Sequence, residues 1–260
     1  MASIRSIMRR RSPEERVGSM TVMEHLEELR HRIVMIIIAL LLGSVVGWFL
    51  YPWFIHLVRI PYCDYVNGLP AGAQPPAGCH FISQTPLDPV LTKLKVVFFL
   101  GLAVALPVVL YQLWAFIVPG LTPRERKMSI PFIASSTLLF ILGGLVAFVT
   151  LPKALNWLLG FAGPDIQPLM HFNTYVSFVV LVTLAFGVSF EFPVLLVFLL
   201  IVGVLTTARL RAWRRWSILG ISIFAAVITP SSDPYSMLAM MIPMVLFYEG
   251  AIIVGRLMKK

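Results

Sequence analysis

Runs of apolar residues too long for a soluble core govern what this chain can fold into. Six of them, at roughly 33–51, 89–118, 128–151, 173–203, 213–229 and 236–255, stand between polar connectors. An α-helix rises 1.5 Å per residue and a bilayer's hydrocarbon core is about 30 Å thick, so about 20 apolar residues cross it. Inside lipid every backbone N–H and C=O must be bonded within the segment, which selects helices for runs of this length. The fold class expected is an all-α integral membrane protein with six transmembrane helices. Hydrophobic residues at 58% against charged residues at 13% fit lipid better than water.

The connectors differ in charge. The segment before the first run holds seven basic residues, the second connector three (Arg124, Arg126, Lys127), the fourth four (Arg209, Arg211, Arg214, Arg215) and the C-terminus three. Only Arg59, Lys93, Lys95 and Lys153 of the 21 Lys and Arg fall on the other side. Basic residues mark cytoplasmic loops, so both termini are expected inside. The net charge of +9 follows from that rule, and no soluble basic domain is left for nucleic acid.

Residues 20–258 read as a single membrane domain behind a flexible basic cytoplasmic tail, 1–19. Arg9-Arg10-Arg11 resembles an export signal, but Pro13-Glu14-Glu15-Arg16 follows where an apolar stretch would be needed. A helix is expected to start near Thr21, where Thr21 and Glu24 have capping-box spacing. Val22, Leu26, Leu29 and Ile33 then form an apolar stripe that runs along the membrane surface into the first span. The first outer connector, 52–88, is rich in Pro and Gly and carries the only two cysteines, Cys63 and Cys79. A pair confined to a non-cytoplasmic loop reads as a disulfide, worth about 3 kcal/mol by the chain-entropy relation; two free thiols are the alternative. The fifth run is short, about 17 residues, and the sixth is interrupted by Pro243.

Three acids invite a functional reading. Glu191, in Phe190-Glu191-Phe192-Pro193, falls near the middle of the fourth run. Ionised at that depth it costs at least about 2.5 kcal/mol, so it either lines a hydrated concavity beside the Pro193 kink or is a protonated acid bonded to a neighbouring helix. Glu28 can simply pair with Arg32 one turn on, worth about 0.3–0.5 kcal/mol. Glu125 can simply belong to the helix start Thr122-Pro123-Arg124-Glu125. His25 and His31 point about 120° apart on a helix, too far for one metal ion with Glu28. No nucleophile elbow or phosphate loop is present, so no enzyme activity, cofactor or metal is expected.

Four segments together resemble the TatC family, the multi-spanning core subunit of the twin-arginine protein translocase. They are Met23-Glu24-His25-Leu26-Glu27-Glu28-Leu29-Arg30-His31-Arg32, then Leu110-Tyr111-Gln112-Leu113-Trp114-Ala115-Phe116-Ile117-Val118-Pro119-Gly120-Leu121, then Phe186-Gly187-Val188-Ser189-Phe190-Glu191-Phe192-Pro193, and Ile228-Thr229-Pro230-Ser231-Ser232-Asp233-Pro234-Tyr235-Ser236. The resemblance implies a receptor for twin-arginine signal peptides in the bacterial cytoplasmic membrane, with single-span TatA and TatB as partners and self-association in the receptor complex. Export of folded cargo would be driven by the proton-motive force. It assigns Glu28 and Glu125 to the arginine pair, with Arg30 and Arg126 flanking and Phe116 nearby. Pro61, Pro193 and Asp233 become structural positions, and Glu191 the intramembrane polar site. Met237 stands where many members carry a glutamine, which leaves open whether Ser232 or Ser236 takes over its polar contact. The rival reading is a proton-coupled small-solute transporter using Glu191.

Overall fold

The computed structural model describes residues 22–68, 79–117, 129–160, 170–230 and 233–257. Among these the chain is helical apart from turns and one isolated bridge between Ile82 and His171. The helices are α1 (Val22–Asn67), α2 (Asp88–Ile117), α3 (Ser129–Gly160), α4 (Phe172–Ser189), α5 (Phe192–Ile201), α6 (Thr207–Ala212), α7 (Arg214–Ile228) and α8 (Pro234–Leu257). Five stretches are long and apolar enough to cross a membrane: α1, α2, α3, α4 with α5, and α8. The 15 residues of α7 cover about 22 Å and fall short of that length.

Burial separates the lipid-facing surface from the core. Leu41, Leu42, Phe49, Leu138, Leu145 and Val149 are exposed, as side chains solvated by acyl chains would be. The core lies where α1, α2, α3 and α4 meet and continues to α8 through Met240, Met244, Tyr248 and Ile252.

The first span corrects an expectation. Residues 52–67, expected as connector, continue α1 as helix straight through Pro52 and Pro61. A proline removes one helical hydrogen bond, a cost that tertiary packing can offset. Here Phe54, Val58, Tyr62 and Val66, spaced four apart, are all buried in the core. Pro61, also buried, leaves the carbonyl of Leu57 without its helical donor, and one residue on the Tyr175 hydroxyl donates to the Val58 carbonyl at 2.9 Å. Cys63 and Cys79 are bonded to each other, with Cα atoms 4.9 Å apart. Close to their link, Phe81 packs against Tyr62 and Tyr175 at ring-centroid distances of 5.0 and 5.1 Å, and the two tyrosines touch each other at 5.7 Å.

Helices α1 and α2 pack through glycine. Gly43 and Gly47 sit one turn apart on α1 and face Gly101 on α2, the small-residue spacing that lets membrane helices approach closely. A Cβ on Gly47 would stand 2.6 Å from the Val97 carbonyl oxygen, a backbone atom that cannot swing aside. Gly47→Ala is therefore expected to cost about 1–2 kcal/mol, within the usual range for overpacking. In detergent the melting midpoint should fall by roughly 2–8 °C. An unchanged midpoint would mean that the two helices are not in close contact.

Candidate functional site

Two polar features stand out in a largely apolar bundle. The first lies at its arginine-rich end. Glu28 and Arg32, one helical turn apart on α1, form an ion pair with side chains 21% and 18% exposed. Arg32 also donates to the side-chain amide oxygen (Oε1) of Gln112 at 3.3 Å. Gln112 is buried on α2, so one guanidinium ties the start of α1 to the end of α2. The second Glu28 carboxylate oxygen and the Arg32 Nε are buried and have no partner among the described residues. A buried acceptor in that state costs about 1–3 kcal/mol unless something donates to it. Among the described residues nothing fills that role, and one more charged donor would satisfy it.

Aromatic packing holds the end of α2 in place. Trp114 lies against Phe132 of α3 and Phe198 of α5, both at 4.7 Å between ring centroids. Phe116, one turn beyond Gln112 on α2, is half-buried. Arg30 is exposed. Glu125 and Arg126 lie outside the described residues, as does Ser232.

The second feature is Glu191. With Phe190 it lies between α4 and α5, where the expected fourth span breaks into two helices. Pro193 falls in the first turn of α5, the one part of a helix that has no need of its N–H. The break keeps its own hydrogen bonds: the Glu191 N–H donates to Val188 at 3.1 Å, and its carbonyl accepts from Leu195 at 3.1 Å. The half-buried carboxyl meets the Ser136 hydroxyl of α3, while its Oε1 is buried without a partner among the described residues. Ser136 comes within reach because α3 presses close to α4. Gly143, two turns from Ser136 on the same face, leaves no room for a Cβ beside the Phe186 carbonyl, which would sit 2.7 Å away.

Asp233 is buried and caps α8, accepting from the Ser236 N–H at 2.7 Å. Ser236 is itself buried, so its side chain faces the core and not an approaching partner helix. Met237 is half-buried against the core. Reasoning from sequence missed Gln112 and Ser136 as site residues, since a neutral polar side chain in an apolar run carries no sign of which helix it will meet.

Comparison with known proteins identifies what this arrangement belongs to. Residues 24–243 match the family model described as "Sec-independent protein translocase protein (TatC)". The chain is 40% identical over 258 residues to the Sec-independent protein translocase protein TatC of Frankia casuarinae, covering 97% of this chain and 70% of that one. It is 34% identical to the protein of the same name from Aquifex aeolicus, over 92% of this chain and 95% of that one. A crystal structure described as the twin arginine translocase receptor TatC in DDM superposes with a TM-score of 0.72 at 34% identity. That superposition covers 89% of this chain and 99% of the other.

Proposed function

Because the chain belongs to the TatC family and is a membrane-embedded subunit of the Sec-independent protein translocase, we propose that it is the receptor for twin-arginine signal peptides in the bacterial cytoplasmic membrane. In this reading α7 is the short fifth of six spans, both termini are cytoplasmic, and residues 20–258 form one membrane domain behind the basic tail 1–19. The chain has no enzymatic role. It self-associates, and organises TatA and TatB for export of folded cargo driven by the proton-motive force.

One observation carries the receptor role: Glu28 is held half-buried by Arg32, with one carboxylate oxygen left without a donor among the described residues. A face with this many cations repels an arginine pair unless carboxylates are presented to it in a defined geometry. Guanidinium is planar and meets carboxylate through two parallel hydrogen bonds, which lysine cannot reproduce. Fully exposed pairs contribute only about 0–1 kcal/mol. A partly desolvated Glu28 raises that figure and allows arginine to be distinguished from lysine. Glu125 is the acid for the second arginine, with Arg30, Arg126 and Phe116 around the pair.

A photoreactive residue in place of Phe116 tests the reading. It should crosslink a twin-arginine peptide in native membranes, and the yield should collapse with a twin-lysine peptide. Equal yields, or equal crosslinking from position 60 far along α1, would remove the receptor assignment.

A further inference from the structure

Helices α5, α6, α7 and α8 enclose a cavity of about 730 Å³ that signal-peptide recognition does not use. Leu196 of α5, Ile221 and Phe224 of α7 and Met244 of α8 give it apolar walls. Its two hydroxyl groups already have partners: Ser217 donates to the Tyr248 oxygen at 3.0 Å, and Tyr248 donates to the Leu210 carbonyl at 2.6 Å. A ligand therefore meets hydrocarbon within and, toward α6, one guanidinium, that of Arg209.

The surroundings of Arg209 specify the ligand further. Thr206 caps the short α6 by accepting from the Arg209 N–H at 3.3 Å, which fixes the backbone from which this side chain departs. Arg211, Arg214 and Arg215 follow within six residues. Among the described residues only Arg214 of this group has a carboxylate partner, Glu249, so the cluster keeps uncompensated positive charge. Trp213, which also lines the cavity, and Trp216 are 67% and 72% exposed, as indoles at a membrane boundary are. An apolar slot opening beside a basic cluster and interfacial tryptophans has the two halves of a phospholipid, a chain and a phosphate. Guanidinium suits the phosphate because it donates two parallel hydrogen bonds.

We propose that this cavity holds one acidic phospholipid, with an acyl chain between α5, α7 and α8 and its phosphate on Arg209. The proposal rests on the reading that α6 lies at a membrane boundary and is independent of signal-peptide recognition.

Native mass spectrometry of the full chain in mild detergent tests it, with phosphatidylglycerol and phosphatidylethanolamine of identical chains supplied equally. The wild type should retain one phosphatidylglycerol with a preference of about fivefold or more, the scale of one basic contact at a membrane surface. Excess inorganic phosphate should not reverse that preference. Arg209→Gln should bring the ratio close to one, whereas Lys153→Gln, which removes a distant charge, should leave it unchanged. Gly220 lines the cavity and a Cβ there meets nothing within 4 Å, so Gly220→Leu starts from open space and takes up room in the slot. That variant should lose both lipids while keeping its circular dichroism and its binding of a twin-arginine peptide. An unchanged ratio in Arg209→Gln would overturn the proposal. So would undiminished lipid in Gly220→Leu, or a membrane crosslink from Gly220→Cys to a second copy or a single-span helix. Peptide binding measured in the same samples separates a failure of this proposal from a failure of the receptor reading.

Discussion

Replacing Glu28 with alanine should weaken binding of a twin-arginine peptide by about 1–3 kcal/mol, or roughly 5- to 150-fold in Kd. The loss has two sources. The peptide guanidinium loses its acceptor, and Arg32, which Glu28 now neutralises, is left as an unpaired charge beside the incoming arginine. Glu125→Ala should cost a similar amount by removing the second acceptor. Arg32→Gln separates the two sources, because it frees both Glu28 oxygens and removes the competing cation. Twin-arginine binding to that variant should be equal to wild type or tighter. A twin-lysine peptide should lose less from either acid substitution, since an ammonium never makes the paired bonds. Titration of labelled peptide into purified protein measures all of these. Identical affinity across wild type, Glu28→Ala and Glu125→Ala would remove both acids from the site.

Glu191→Leu should abolish or severely slow cargo export while leaving peptide binding intact. The residue sits at the break between α4 and α5, with Ser136 on one side and one oxygen without a partner among the described residues. Ionised within a span, a carboxyl costs at least about 2.5 kcal/mol and requires water or a partner to offset it. Leucine removes the carboxyl and leaves the Ser136 hydroxyl facing hydrocarbon. Glu191→Gln keeps shape and hydrogen bonding, so folding should survive in it. Membrane level, peptide affinity and export rate should be measured for both variants. Export by Glu191→Leu at the wild-type rate would show that the carboxyl serves only to pack α3 against α4.

The division of the fourth span into α4 and α5 was not legible in the sequence, but a kink at Pro193 was, because a proline in an apolar run removes a helical hydrogen bond. The long apolar runs were legible for a similar reason. Length and hydropathy are local properties, and a bilayer reads them without reference to the rest of the chain. Other elements depended on partners far away in sequence. Pro52 and Pro61 argued for a connector, yet α1 passes through both because Phe54, Val58, Tyr62 and Val66 find a core to bury in. Gly43, Gly47 and Gly101 look like ordinary glycines in apolar runs until α1 and α2 are set side by side.

The site divides in the same way. Glu28 and Arg32 were visible as a pair one turn apart, since helical spacing alone brings them together. That Arg32 also reaches Gln112, 80 residues on, and that one Glu28 oxygen is buried without a donor among the described residues, could come only from the packing of α1 on α2. The Ser136 contact to Glu191 is another case, set by how closely Gly143 lets α3 approach α4. Apolar run length and hydropathy determined which long segments are helices. Contact between helices decided which polar groups meet, because a hydrogen bond depends on fractions of an ångström that no one-dimensional pattern records.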